Sequence, residues 1–177
     1  MGAKTCLLAQ VEGDARQILS ARPALDEDAT ARLVAALFPG AVFGPPQGAD
    51  LSYTYVRDRT VVAGCWPGLR IVATAEVALD KPSRLPPKYI AARGKTVVHA
   101  MHSVVDWFAY AVWEDGVLRR SLSMAPDDGV LEDIGPTLTA MGCYRRRDDA
   151  IRRLVPDYGD GWACKVVIEN EGFNVSY

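Results

Sequence analysis

The chain alternates between short apolar runs and punctuation by Pro, Gly and Asp, and its elements can be read from that rhythm. Residues 4–11 (KTCLLAQV) are a compact apolar run, the pattern of a strand covered on both faces. Asp14 is placed to cap a short helix through Ala21 that Pro23 stops, and Asp26 to cap a better one. In that second helix Leu33, Val34 and Leu37 form the apolar stripe, and Pro39-Gly40 ends it. Residues 40–59, with Gly44-Pro45-Pro46 and Gly48, predict a long loop with a short strand at 51–56.

Residues 60–66 and 69–78 read as two strands joined by Pro67-Gly68, a type II turn in which Pro sets φ and Gly takes the positive φ. A proline-rich connection over 81–87 leads to a short helix at 87–92, ended by Gly94. Residues 106–113 and 117–124 form a hairpin around Glu114-Asp115-Gly116, because Asp-Gly between apolar runs is a strong turn signal. Asp127-Asp128-Gly129 is a further turn. Residues 145–155 predict a helix supported by Asp148–Arg152 and Asp149–Arg153 pairs and closed by Pro156; a terminal hairpin (164–169, 173–177) turns at Asn170-Glu171-Gly172. Adjacent hairpins imply antiparallel pairing, and the helices fall near the ends of the chain. The expected fold is α+β, a mainly antiparallel sheet with helices packed near the N- and C-terminal parts.

Length and composition narrow the picture without sharpening it. A chain of 177 residues fits one domain, with 49% hydrophobic and 24% charged residues. A net charge of −2 argues against a dedicated nucleic-acid binder. Cys6, Cys65, Cys143 and Cys164 are scattered with no C-x-x-C pair, so all four are expected to be reduced thiols. With no signal peptide or membrane-spanning run in sight, the expectation is a cytoplasmic protein.

Chemistry is sparse. His99, His102 and Asp106 are the group a metal or acid–base site would use, since i, i+3, i+7 shares one helix face. On a strand His99 and His102 point to opposite faces, and the flanking valines favour a strand. Gly94-Lys95-Thr96 resembles the tail of a phosphate loop, but Tyr89 stands where that loop needs Gly. Ser121 and Ser123 follow the period of a solvent-facing strand, and Asp127-Asp128 and Glu132-Asp133 read as turn chemistry. No catalytic residue, metal ligand or cofactor is assigned. Arg145, Arg146, Arg147, Arg152 and Arg153 form the one basic cluster, read first as a solvated helix face.

Met1-Gly2-Ala3-Lys4-Thr5, the run His99-Ala100-Met101-His102-Ser103-Val104-Val105-Asp106-Trp107, and Trp113-Glu114-Asp115-Gly116 with Arg120-Ser121-Leu122-Ser123 resemble an actinobacterial and mycobacteriophage domain family of unknown function. The resemblance covers residues 1 to about 135 and implies a bacterial or phage origin, with no catalytic residues. Residues 136–177 are then a divergent tail. The expected function is a non-catalytic protein-binding or regulatory module that meets another protein through Arg145, Arg146, Arg152, Arg153 and Tyr177. The alternative is a small hydrolase or metal-dependent enzyme using His99, His102 and Asp106. A nucleic-acid binder acting through Arg145–Arg153 ranks third.

Overall fold

The computed structural model describes residues 4–50, 52–57, 59–136 and the backbone of 163–167. It is α+β: strands β1 (Lys4–Val11), β2 (Gln47–Ala49), β3 (Thr60–Trp66), β4 (Leu69–Ala73), β5 (Lys95–His102), β6 (Trp107–Glu114), β7 (Val117–Ala125), β8 (Gly129–Ile134) and β9 (Ala163–Val167) accompany helices α1 (Ala15–Ser20) and α2 (Glu27–Leu37). The strands form one sheet in the order β2-β9-β3-β4-β1-β5-β6-β7-β8, and every described pairing is antiparallel.

Turn chemistry sets this meander. Gly68 takes φ +74 between β3 and β4, and Asp115 and Gly116 take φ 50 and 77 between β6 and β7. Two successive positive φ values are those of a type I′ turn, whose twist matches that of the flanking strands.

Strand alternation gives the sheet two faces. One carries Cys6, Leu8, Ala63, Val72, Val98, Ala111 and Trp113, all buried against Val34, Leu37 and Phe38 of the α2 region and against Val77, Leu85 and Tyr89. Helix α2 is pinned there: Thr30 Oγ1 accepts from the Cys65 amide at 3.0 Å, and the Asp26 amide donates to the Cys65 carbonyl at 2.9 Å. The other face carries Val11, Trp66, Leu69 and Ile71, packed against Ala15, Ile18 and Leu19 of α1. Asp14 and Asp26 cap the two helices through their side chains. Helix α1 has only six residues, too few to be stable in isolation, so it depends on this contact.

Several expectations need correction. β4 ends at Ala73 and not at residue 78: the Thr74 hydroxyl accepts from the Glu76 amide at 3.5 Å and starts a 3-10 turn, Ala75–Val77. The helix at 87–92 is a single 3-10 turn, Pro87–Tyr89, because Tyr89 is drawn into the core and Ile90 is already extended. The long loop contains β2 at 47–49, with no strand over 52–57. Ser121 and Ser123 are fully buried, not solvent-facing, because the 80–85 segment lies across them. The predicted helix at 145–155 lies outside the described residues. So does the terminal hairpin, apart from β9, whose backbone pairs with β2 and β3.

The Trp66 ring lies directly over Gly64, so that a Cβ at position 64 would enter the six-membered ring. Gly64→Ala should therefore lower stability by about 1–3 kcal/mol, the usual cost of overpacking, read as a lower denaturant midpoint at unchanged slope.

Candidate functional site

The histidines lie on β5, three residues apart. In an extended strand that spacing sends them to opposite faces. The β1 register agrees, pairing Leu7 with His99 and Lys4 with His102. Asp106 follows in the β5–β6 connection, exposed and at φ 47. The three residues that a shared catalytic or metal site would need are thus not brought together. Among the described residues no group of three or more His, Cys, Asp or Glu could hold a metal ion.

His99 instead has a partner that its own segment does not contain. Its Nδ1 lies 2.9 Å from Thr5 Oγ1 on β1, and its ring stands edge-on to Phe108 at 5.7 Å between centroids. Phe108 stacks on Tyr110 at 6.5 Å, so a strip of ring systems runs along this face. Burial holds the His99 imidazole below the usual histidine range and pushes the Tyr110 phenol up. Among the described residues the pair is an imidazole and an alcohol packed against Phe108, which fits a satisfied structural histidine better than an acid–base dyad.

The polar groups that sequence reasoning missed form two staples. Glu132 on β8 accepts from the Ser83 amide at 3.0 Å, from Ser83 Oγ at 2.6 Å and from Ser121 Oγ. Burial opposes its charge, but the Ser121 and Ser83 hydrogen bonds outweigh it and hold the carboxyl below its usual range. Ser123 Oγ donates to the Asp80 carbonyl, and Trp107 Nε1 donates to Asp80 Oδ1 at 2.9 Å. Nearer α2, Lys88 bridges Glu76 at 2.7 Å, donates to the Leu37 carbonyl at 2.9 Å, and sits 4.9 Å from the rings of both Phe38 and Tyr89. The fully buried Tyr89 donates to Glu76 at 2.8 Å, and burial with this partner raises its phenol pKa. Apart from Lys88 over its neighbour Tyr89, each of these contacts spans at least ten residues, beyond the reach of local pattern reading.

Buried Arg120 is the other missed residue. It donates to Asp133, to the Ile134 carbonyl at 2.9 Å and to the Gly135 carbonyl at 3.1 Å, while its Nε has no partner among the described residues. Lys95 begins β5, exposed and paired with Glu114 at 3.2 Å, and Thr96 Oγ1 accepts from the Ala91 amide, so the Gly94-Lys95-Thr96 segment opens a strand, not a phosphate loop. Cys6 and Cys65 are free and buried, and burial raises both thiols. Arg145, Arg146, Arg147, Arg152, Arg153 and Tyr177, together with Cys143, lie outside the described residues.

Several exposed apolar side chains share one end of the sheet, while Val42, after α2, and Val117, at the β6–β7 turn, stand exposed away from it (57% and 53%). Val104 and Val105 (66% and 52% exposed) occupy the β5–β6 connection. Lys4, opposite His102, lies 5.0 Å over the exposed ring of Tyr55. Across β6, Phe108 pairs with exposed Met124, and Met124 with exposed Val130.

A model of a family of unknown function, DUF6928, matches residues 5–153, a span that runs past 135 and takes in Arg145–Arg153. Curated relatives include the NH(3)-dependent NAD(+) synthetase of Rhizobium meliloti, 64% identical over 53 residues, which is 28% of this chain and 16% of that protein. The Mesorhizobium japonicum synthetase is 50% identical over 62 residues, 33% of this chain and 19% of that protein. The chain therefore spans under a fifth of the length of these relatives. No solved structure matches.

His99 gives a pH test. Its folded pKa is lowered, so the unfolded chain binds the proton more readily. The stability linked to its neutral form is fully present above the unfolded value, about 6.5, and is lost as pH falls below it. Denaturation midpoints should decline from pH 7 to pH 5, and His99→Gln should flatten that decline. An unchanged slope in the variant would remove the assignment.

Proposed function

The chain belongs to the DUF6928 family, and from that premise we propose that it is a non-catalytic protein-binding or regulatory module of bacterial or phage origin. The observation that carries this reading is the apolar end of the sheet, where Tyr55, Val104, Val105, Met124 and Val130 stand exposed on neighbouring strands and loops. Scattered exposed apolar residues need no explanation, but a gathered set marks an interaction surface. The separation of His99 from His102 weighs against an enzyme built on them. The synthetase match covers too small a share of either chain to bring an ammonia-dependent activity here. Buried thiols at Cys6 and Cys65 favour a cytoplasmic setting. Among the described residues no helix is long and apolar enough to cross a membrane. Arg145, Arg146, Arg152, Arg153 and Tyr177 remain proposed as further partner contacts.

Affinity capture with wild-type and Val104→Asp/Val105→Asp baits tests the reading. Both positions are exposed, so the double variant should melt as the wild type does, within about 0.5 kcal/mol. It should lose a protein that the wild type retains at least tenfold better. Equal recovery by both baits, or stoichiometric zinc or manganese in the purified protein, would contradict the proposal.

A further inference from the structure

The sheet face that packs on α1 continues beyond that helix. Leu7 stands opposite His99, His99 opposite Tyr110, and Tyr110 opposite Leu122, so one face runs on across β5, β6 and β7. Phe108 and Val112 flank Tyr110 on it, and Arg120 lies opposite Val112. Phe108, Val112, Leu122 and Arg120 are only 6%, 4%, 6% and 3% exposed. Yet the first three belong to neither apolar cluster, and α1 packs on β1, β3 and β4. A sheet face stays dry only under a second layer, and among the described residues no element supplies one over β6 and β7 on this side.

The connection from β8 to β9 fits that place. Ile134 pairs with Ser121, and from there one row of paired residues runs through Val98, Leu8 and Ala63 to the backbone of Cys164. The ends of the connection thus share a row and stand seven strand spacings apart, about 34 Å. Residues 135–163, 29 in number, reach about 44 Å even on a fully helical course, so the span is within their length. The opposite face is already filled by α2 and by Val77, Leu85 and Tyr89. Met141, Tyr144, Ile151 and Val155 recur at helical spacing, while Arg146 and Arg153 fall on the other side of the same wheel. The family match runs to residue 153, so most of the connection belongs to the shared domain.

We infer that residues 137–162 cross the His99–Tyr110 face and form its second layer, seating the Met141–Val155 stripe on Phe108, Val112 and Leu122. The ring strip is then interior and not a binding groove, and Arg146 and Arg153 point away from the sheet, where a partner would meet them. The inference goes beyond the module reading and does not depend on it.

The test is NMR of the methyl-labelled full chain, with Ile151 assigned through Ile151→Val. Nuclear Overhauser contacts are expected from the methyls of Ile151, Leu154 or Val155 to the rings of Phe108 or Tyr110 or to the Leu122 methyls. Their absence, or contacts to Phe38 and Tyr89 on the α2 side instead, would overturn the inference. In a mixture of labelled and unlabelled chains the contacts should stay within one chain; contacts between chains would overturn it by assigning the face to a second copy. Ile151→Asp/Leu154→Asp should uncover the face, so that anilinonaphthalene sulfonate fluoresces about tenfold more than with the wild type while the β1 amides keep their shifts. A folded variant that binds the dye no better than the wild type would also overturn the inference. If that variant does not fold, the wild-type contacts decide alone.

Discussion

Everything in this fold hangs on the two-sided pairing of β1. Its residues Leu7–Val11 pair with β4 on one side, and Lys4–Val11 pair with β5 on the other. The β3–β4 hairpin and the β5–β8 meander thus meet only through this strand in the sheet. Leu8, at its centre, faces the α2 core, while Leu7 and Val11 pack towards α1. A one-residue slip of β1 would exchange these faces and expose both sets at once, so the hydrophobic pattern fixes the register. That register also decides the chemistry: it fixes β5 as an extended strand, and extension is what parts His99 from His102.

The polar interior follows from the same frame. Segment 74–90 has almost no regular structure, yet it covers the middle of the sheet. Buried irregular backbone is tolerated only when its polar groups find partners. Glu132 provides one for Ser83 and Ser123 one for Asp80, while Tyr89, Lys88 and Glu76 bind one another. These charges and hydroxyls resemble catalytic constellations in a residue list. In space they are staples, each committed to a structural partner. Exposed apolar surface remains at one end of the sheet.

The sequence made the local signals legible. Caps at Asp14 and Asp26, the Pro67-Gly68 and Asp115-Gly116 turns, and the antiparallel meander can all be read from neighbouring residues, because each is determined within a few positions. The β4 terminus could not, since Thr74 can either extend a strand or cap a turn, and the covering segment decides. Nor could the burial of Ser121 and Ser123: alternation shows that they share a face, not which face is covered. Thr5 and His99 are 94 residues apart, so no spacing rule could join them. The candidate site was legible only in its negative half, the opposed histidines. The aliphatic end emerges only when β5, β6, β7 and β8 are set side by side.

The central claim is that β1 is the doubly paired spine of the sheet. Hydrogen–deuterium exchange of the free full chain, resolved to single amides, tests it most directly. The account predicts the slowest exchange within Leu7–Val11, where both neighbours pair, and faster exchange in the short helix α1. Exchange within Leu7–Val11 as fast as in α1 would contradict the account.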